Sequence, residues 1–328
     1  MRVLVTGGLG GIGREVLRLL LRVGHEVRCF DLDSKANRRA LHALAPDPWS
    51  ARRMEAVWGD VRRGDDVRAA VTGVGAVIHL AAVIPPLSEK RPDFSREVNL
   101  EGTRLLIEAA SALSPRPRFV FASSVSAYGP RMTDPPPRRA DEPLHATDHY
   151  THHKVGCENL LRQSGLPWTI LRIGVVLFRD VLGRFDPLIF EIPLAQRLEV
   201  VHAEDAARAC VNCLTAATAG KVLLIGGGPA CQVLQRDFLK GLTEASGLGM
   251  FPASVFRVPR EAAEWYYTDF LDSEEAQRLL HFQVHTFQDY LQQLRATLGW
   301  RRLLARTVGP VVRRILCRRS PYRRVLKV

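Results

Sequence analysis

The first 24 residues dictate most of what this chain can become. Arg2 to Thr6 alternates and is rich in β-branched residues, as a strand is, and Ile12 to Val23 (IGREVLRLLLRV) has helical spacing before Gly24 offers a stop. Between them lies TGGLGGIG, Thr6 to Gly13, with glycines at 7, 10 and 13 in a GxxGxxG spacing. Glycine in a strand-to-helix turn permits positive φ and lets the backbone approach a pyrophosphate, whose charge is met by the helix N-terminus. The segment therefore reads as a dinucleotide loop with Gly7, Gly10, Ile12 and Gly13 at the cofactor, and it predicts an α/β Rossmann fold, a doubly wound parallel sheet.

Eighteen residues beyond Gly13, a second strand from Glu26 to Phe30 ends at Asp31. A carboxylate there accepts hydrogen bonds from both ribose hydroxyls of an adenosine and repels a 2′-phosphate, which favours NAD. Lys35, Arg38 and Arg39 follow closely enough to keep NADP open. A third strand, Met54 to Val57, leads to Asp60 and Val61, and a fourth, Ala76 to Leu80, leads to Ala81 and Ala82, small residues that let a cofactor lie against the strand tips. Asp60 reads as a partner for the adenine amino group or, equally, as a helix cap.

Tyr150 and Lys154 form a YxxxK pair, and Ser124 stands 26 residues before the tyrosine. Residues four apart share a helix face, so the lysine ammonium can sit beside the phenol. A free tyrosine, with a pKa of about 10, is a poor base at neutral pH. A fixed cation lowers that value and makes it a general acid/base. Ser124 follows the apolar run Arg118 to Ala122, a buried parallel strand, so its hydroxyl is expected at the carboxyl end where open α/β sheets bind ligands. YxxxK alone occurs by chance on many solvated helices. What carries weight is the order: strand, glycine loop, SSVSAYG (Ser123 to Gly129), then the YxxxK helix.

With these segments in hand, residues 1 to about 295 resemble the extended short-chain dehydrogenase/reductase family, the NAD-dependent epimerases, dehydratases and related reductases. GDV at 59–61, HLAA at 79–82, NLEGT at 99–103, LRIGVV at 171–176, VHAEDAARA at 201–209 and LDSEEAQRLLHF at 271–282 match it too. The resemblance implies Ser124, Tyr150 and Lys154 as the catalytic set, with Lys154 also holding ribose, and Asn99 as a structural, cofactor-side residue. Two departures matter. Sugar-nucleotide dehydratases carry an acidic pair after the serine motif, where this chain has Val125, Ser126 and Ala127. Many epimerases place an asparagine after the LR strand, where this chain reads IGVV.

The expected organisation is an NAD(P)-binding core over residues 1–175, completed by about 201–226, with a smaller C-terminal substrate lobe from 176–200 and 227–299 and a basic tail from 300–328. The segment Leu177 to Val200, from which substrate contacts are expected, is short and apolar, and the proline- and arginine-rich loop Gly129 to Asp148 is read as a lid, a substrate rim or a surface connection. The six cysteines are scattered, which predicts buried thiols; Cys210 and Cys213 form the only CxxC, with no further zinc ligands in step, so no metal is expected. Adjacent His152 and His153 point to different helix faces and are read as solvent-facing or as neighbours of the substrate pocket. With no cleavable leader and no run near the ~18 apolar residues of a spanning helix, the expected location is cytoplasmic.

The net charge of +12 is concentrated in the tail. Residues 301–328 hold nine arginines, one lysine and no acid, against 36 basic and 34 acidic residues elsewhere. Arginine doublets at 313/314, 318/319 and 323/324 alternate with apolar residues in an amphipathic segment interrupted by Pro310 and Pro321. An anionic membrane surface, which would make the protein peripheral there, or an acidic partner fits such a tail, slightly ahead of a solvated appendage. Nucleic acid fits worst, because Tyr322 is the only aromatic residue of 301–328. The expected function is an NAD(P)-dependent oxidoreductase or epimerase acting on a secondary alcohol or ketone of a small molecule such as a nucleotide sugar. A reductase of an apolar ketone (sterol-, flavonol- or lipid-like) is the alternative, and a non-catalytic dinucleotide-binding scaffold is a third. A homodimer is what the resemblance implies.

Overall fold

A computed structural model describes residues 1–44, 47–178 and 187–322. Seven strands form one parallel sheet: β1 (Arg2–Thr6), β2 (Glu26–Asp31), β3 (Met54–Trp58), β4 (Ala76–His79), β5 (Arg118–Ser124), β6 (Trp168–Ile173) and β9 (Lys221–Ile225), in the spatial order β3-β2-β1-β4-β5-β6-β9. After β3 the chain crosses back over β1 to lay β4 on its other side. Strand order thus reverses between β1 and β4, and crevices at such reversals are where α/β sheets take ligands. A second sheet has the order β10-β8-β7, from β7 (Val175–Leu177), β8 (Arg197–His202) and β10 (Gln232–Leu234).

Helices cover both faces of the large sheet. On the way to β5 the chain forms α1 (Gly11–Arg22), α2 (Lys35–Leu44), α3 (Pro48–Arg53), α4 (Gly64–Val71), α5 (Leu87–Lys90), α6 (Pro92–Arg96), a π-helical turn (Glu97–Glu101) and α7 (Gly102–Ser111). Beyond β5 come α8 (His149–Gln163), α9 (Ala203–Asn212), α10 (Gln235–Ser246), α11 (Glu274–Leu280), α12 (Phe287–Leu298) and α13 (Arg301–Cys317). Val3 and Val5 pack with Val16, Leu17 and Leu20 of α1 and with the alanines of α9 on one face; Leu4 and Val77 pack with Val67 of α4 and Leu106 of α7 on the other. Burial on both faces explains why β1 is an unbroken apolar run. Gly24 has φ +85° and closes α1, as its sequence position predicts. The doubly wound parallel sheet is the expected one. The six cysteines form no disulfide, and five of them are buried.

Three sequence expectations change. The Gly129–Asp148 loop is no mobile lid: Arg138 is 3% exposed and ion-paired with Asp269 and Glu142, and its backbone bonds Phe270 and Asp272. Charge pairing that sequence spacing cannot show bolts the loop to the C-terminal part of the chain. His152 is exposed, but His153 is only 6% exposed, since α8 is packed on more than one side. Pro310 does not break the tail, because α13 runs through it to Cys317. The loss of one helical bond there is offset by packing, Gly309 lying against the Gly247 and Leu248 carbonyls. Within the Leu177–Val200 segment, residues 179–186 lie outside the described residues, as does the tail beyond Tyr322.

A buried ionic pair joins α8 to the sheet. Arg172 of β6 donates to both Glu158 oxygens, at 3.0 and 2.8 Å, and Ser123 donates to Glu158 at 2.7 Å. Burial alone would raise the Glu158 carboxyl, but the guanidinium outweighs it and holds the group below the usual carboxylate range. Its contribution to stability is therefore full above the unfolded glutamate value of about 4.3 and is lost as the pH falls through the lower folded value. Replacing Arg172 by Met should strand the buried carboxylate and cost about 3–5 kcal/mol, read as a fall in the urea midpoint at neutral pH.

Candidate active site and cofactor cleft

The glycine loop closes on β4. Gly7 has φ +64°, and a Cβ there would lie 2.8 Å from the Ala81 backbone; a Cβ on Gly13 would lie 2.4 Å from the Gly7 carbonyl oxygen. Only glycine permits that approach. No side chain caps α1 at Gly10, which leaves first-turn amides for an anionic ligand. Asp31 stands at the tip of β2, where its carboxylate accepts from Leu9 N at 2.9 Å, Leu32 N at 2.8 Å and Asn37 Nδ2 at 3.1 Å. A cavity of about 330 Å³ opens there, walled by Gly7, Asp31, Asp60, Val61, Ala81 and Phe94 among others.

Gly10, Leu80 and Ala82 also line this cavity, whereas Ile12, Gly13, Asn99 and the Ser124, Tyr150, Lys154 group do not. Ile12 packs against the core instead. Asn99 is buried and acts on the backbone, accepting from Val83 N at 2.7 Å and donating to Val83 O at 2.8 Å, which fixes a residue that does line the cavity. The Asp60 carboxylate is taken up by Arg62, whose side chain and amide both donate to it and hold its pKa down. It is no helix cap, since the N-cap of α4 is Arg63, with no side-chain cap bond. Arg38, one of the three cations that kept NADP open, is bidentate on Asp33, with both contacts at 2.6 Å.

A buried relay that the sequence did not reveal locks the strand tips. Thr103 donates its hydroxyl proton to Asn99 O at 2.5 Å, so His79 Nε2 must donate to Thr103 Oγ1 (2.8 Å), leaving Nδ1 to accept from Thr6 Oγ1 at 2.6 Å. Burial, helped by the Lys154 charge, pushes the His79 pKa down to about 3 and keeps the ring neutral. The TGGLGGIG, HLAA and NLEGT segments contain the signal, two hydroxyls and a histidine, but no spacing rule pairs them.

The YxxxK residues meet the serine. Ser124 ends β5 beside the Tyr150 phenol, whose pKa it acts to lower, and Ser124 Oγ lies 2.6 Å from Ser126 Oγ. Asp148 caps α8 by accepting from Thr151 N at 2.7 Å, in a capping box, and Glu89 accepts the His149 and Tyr150 amides. Lys154 is 5% exposed, donates to Ala122 O at 2.6 Å and stands 5.6 Å from the Tyr150 ring centroid. Its pKa is pushed down to about 8 by burial. The Tyr150 pKa moves opposite to the sequence expectation. Although the residue is half-buried, its hydroxyl is enclosed, and burial raises it to about 12 against the lowering effect of Ser124. At neutral pH it is a proton donor.

Beside the first turn of α8 lies a second cleft, of about 660 Å³, lined by Glu89, Asp148, Leu188, Trp265, Tyr266 and Tyr267 among others. Arg257 also lines it and is paired with Glu191 at 2.7 Å.

The sequence pattern of the NAD dependent epimerase/dehydratase family matches residues 3–177. The chain belongs to that family. Its curated relatives include D-erythronate dehydrogenase of Cupriavidus necator, 35% identical over 188 residues (55% of this chain, 56% of that one). Another is human 3 beta-hydroxysteroid dehydrogenase type 7, 34% identical over 174 residues (51% and 43%). The chain spans about half the length of the curated relatives it matches. Among solved structures, UDP-glucose-4-epimerase of Stenotrophomonas maltophila, with bound NAD and formylated UDP-arabinopyranose, has a TM-score of 0.75 at 22% identity, covering 94% and 99% of the two chains. DesIV, the dTDP-glucose 4,6-dehydratase of Streptomyces venezuelae, with NAD and DAU bound, has 0.74 at 26%, covering 92% and 98%. These likenesses agree with the doubly wound sheet. The family is NAD dependent, and the glycine approach and the Asp31 carboxylate of this member fit that cofactor. Gly13→Ala should therefore weaken NAD binding by at least about tenfold in titration calorimetry, because the added methyl would push α1 off the loop.

Proposed function

We propose that this chain is an NAD-dependent oxidoreductase acting on a secondary alcohol, or the matching ketone, carried on an apolar body. The observation that carries the reading is the convergence of Ser124 at the carboxyl end of β5 with Tyr150 and the buried Lys154, 5.6 Å from the Tyr150 ring centroid, beside the cleft lined by Trp265, Tyr266 and Tyr267. Bound NAD would supply the hydride acceptor, held through Gly7, Gly10, Asp31 and Ala81. In the reducing direction, with the reduced cofactor as hydride donor, the enclosed Tyr150 hydroxyl would deliver its proton to the carbonyl oxygen as the carbonyl carbon gains hydride. In the oxidising direction the Tyr150 oxygen takes the hydroxyl proton back. Ser124 orients the reacting oxygen. Lys154, pinned to Ala122, keeps a positive charge beside the phenol below about pH 8 and so stabilises the phenolate when it forms.

Two observations support an apolar substrate over a sugar nucleotide. The cleft offers the rings of Trp265, Tyr266 and Tyr267 together with the carboxylates of Glu89, Asp148, Glu191 and Glu264, which repel a diphosphate, and among its described residues the arginine is already paired with Glu191. After Ser124 the chain places buried Val125 and Ala127 where elimination of water needs an acid and a base. The 3 beta-hydroxysteroid dehydrogenase among the relatives supports the same reading, and the D-erythronate dehydrogenase supports the oxidoreductase class alone.

Tyr150→Phe should lower turnover by about 10²–10⁴-fold with NAD affinity unchanged within about twofold, measured by nicotinamide absorbance against hydroxysteroids, other apolar alcohols and UDP-sugars. Turnover indifferent to the substitution would sink the catalytic assignment. Interconversion of a UDP-sugar without net NADH would overturn the substrate class, and NAD binding with no turnover of any compound would leave a dinucleotide-binding scaffold.

A further inference from the structure

Helix α13 is docked by one side and bare on the other. Its inner side is held at Gly309, against the Gly247 and Leu248 carbonyls, and by Arg313, which donates to Leu248 O at 3.3 Å. Leu316 and Cys317 complete the attachment by packing against the aromatic cluster of Phe190, Phe251 and Phe256. The outward side carries Trp300, Leu303, Leu304, Val308, Val311 and Ile315, recurring at three- and four-residue steps, each between 49% and 67% exposed. Six large apolar side chains in one solvent-facing stripe far exceed the scattered exposure normal for a surface. A helix so anchored cannot turn this stripe inward.

The charges beside the stripe identify its occupant. Arg301, Arg306, Arg314, Arg318 and Arg319 are all exposed, and residues 301–328 contain no acid. We propose that α13 rests in the surface of an anionic phospholipid bilayer, its apolar stripe at the boundary between headgroups and acyl chains and its exposed arginines on lipid phosphates. Apolar residues on one face with arginines around them and a tryptophan at one end suit a helix lying in that plane. A second copy of the chain suits the face less well, since pairing two such stripes would bring arginines of both copies together with no carboxylate from this segment between them. No described helix is long and apolar enough to cross a membrane, so α13 would lie on the bilayer without spanning it. The proposal does not depend on the reaction proposed at Tyr150.

The test is co-sedimentation of the full chain with vesicles of equal phosphatidylglycerol and phosphatidylcholine, at low and at high salt, beside vesicles of phosphatidylcholine alone. The full chain should pellet with the anionic vesicles at low salt and be released by high salt. Leu304→Glu with Val311→Glu should lower partitioning by roughly tenfold or more, with the thermal unfolding midpoint unchanged because both side chains are exposed. Arg314→Gln with Arg318→Gln and Arg319→Gln should lower it too and flatten its salt dependence. Equal pelleting of the full chain and the glutamate variant would overturn the proposal, as would failure of the full chain to bind anionic vesicles. If the full chain is a dimer that the glutamate variant makes monomeric, and vesicles are not bound, the stripe is a self-interface and the lipid assignment is wrong.

Discussion

Helix α8 cannot slide along β5, and the candidate site exists because it cannot. Two buried polar anchors on this one helix set the register. Lys154 donates to the carbonyl of Ala122, and Glu158, four residues on, takes the Ser123 hydroxyl and both arms of Arg172. These grip consecutive residues near the end of β5, and the next residue is Ser124. The meeting of Tyr150 and Ser124 is thereby fixed from below. At the other end of the helix, Glu89 and the Asp148–Thr151 capping box hold the first turn in which Tyr150 stands. The cost of leaving a buried carboxylate or ammonium unpaired makes any other register unfavourable.

The same economy of buried polar groups shapes the cofactor side. Ala81 N, Thr6, His79, Thr103 and Asn99 O form one chain of hydrogen bonds from the glycine strand across β4 to the π-helical turn, and the Asn99 side chain holds Val83. Cys157 of α8 reaches the Asn99 carbonyl as well, so the cofactor cavity and the YxxxK helix share one support. A change of register at β4 would break bonds on both sides. That coupling lets two neighbouring clefts be held in fixed relation although they share no lining residue.

How much of this was legible in the residues depends on whether the interaction was local. The glycine turn, Asp31 at a strand end, Ser124 at another and the four-residue step from Tyr150 to Lys154 are facts of neighbouring positions and alternating burial, and each element stands within a residue or two of its expected bounds. The helix running through Pro310 was not legible, because the packing of Gly309 on a distant loop outweighs a local propensity. Neither was the strap formed by the Gly129–Asp148 segment. Its arginines look like solvent-facing charge until Arg138 is seen buried on Asp269, more than a hundred residues away.

The sequence by itself determined the parallel doubly wound sheet, its glycine approach to a dinucleotide and the identity of the residues gathered at Ser124, because periodicity and close-range steric rules act within a few positions of the chain. Only the tertiary structure decided their chemical state. The enclosed Tyr150 hydroxyl is raised to about 12 where a neighbouring lysine alone argued for lowering, and His79 is neutral between two threonines. It also decided which side of α13 is covered and which is bare. Burial and long-range hydrogen bonding set these properties, and both depend on what lies across the fold, which no local pattern records.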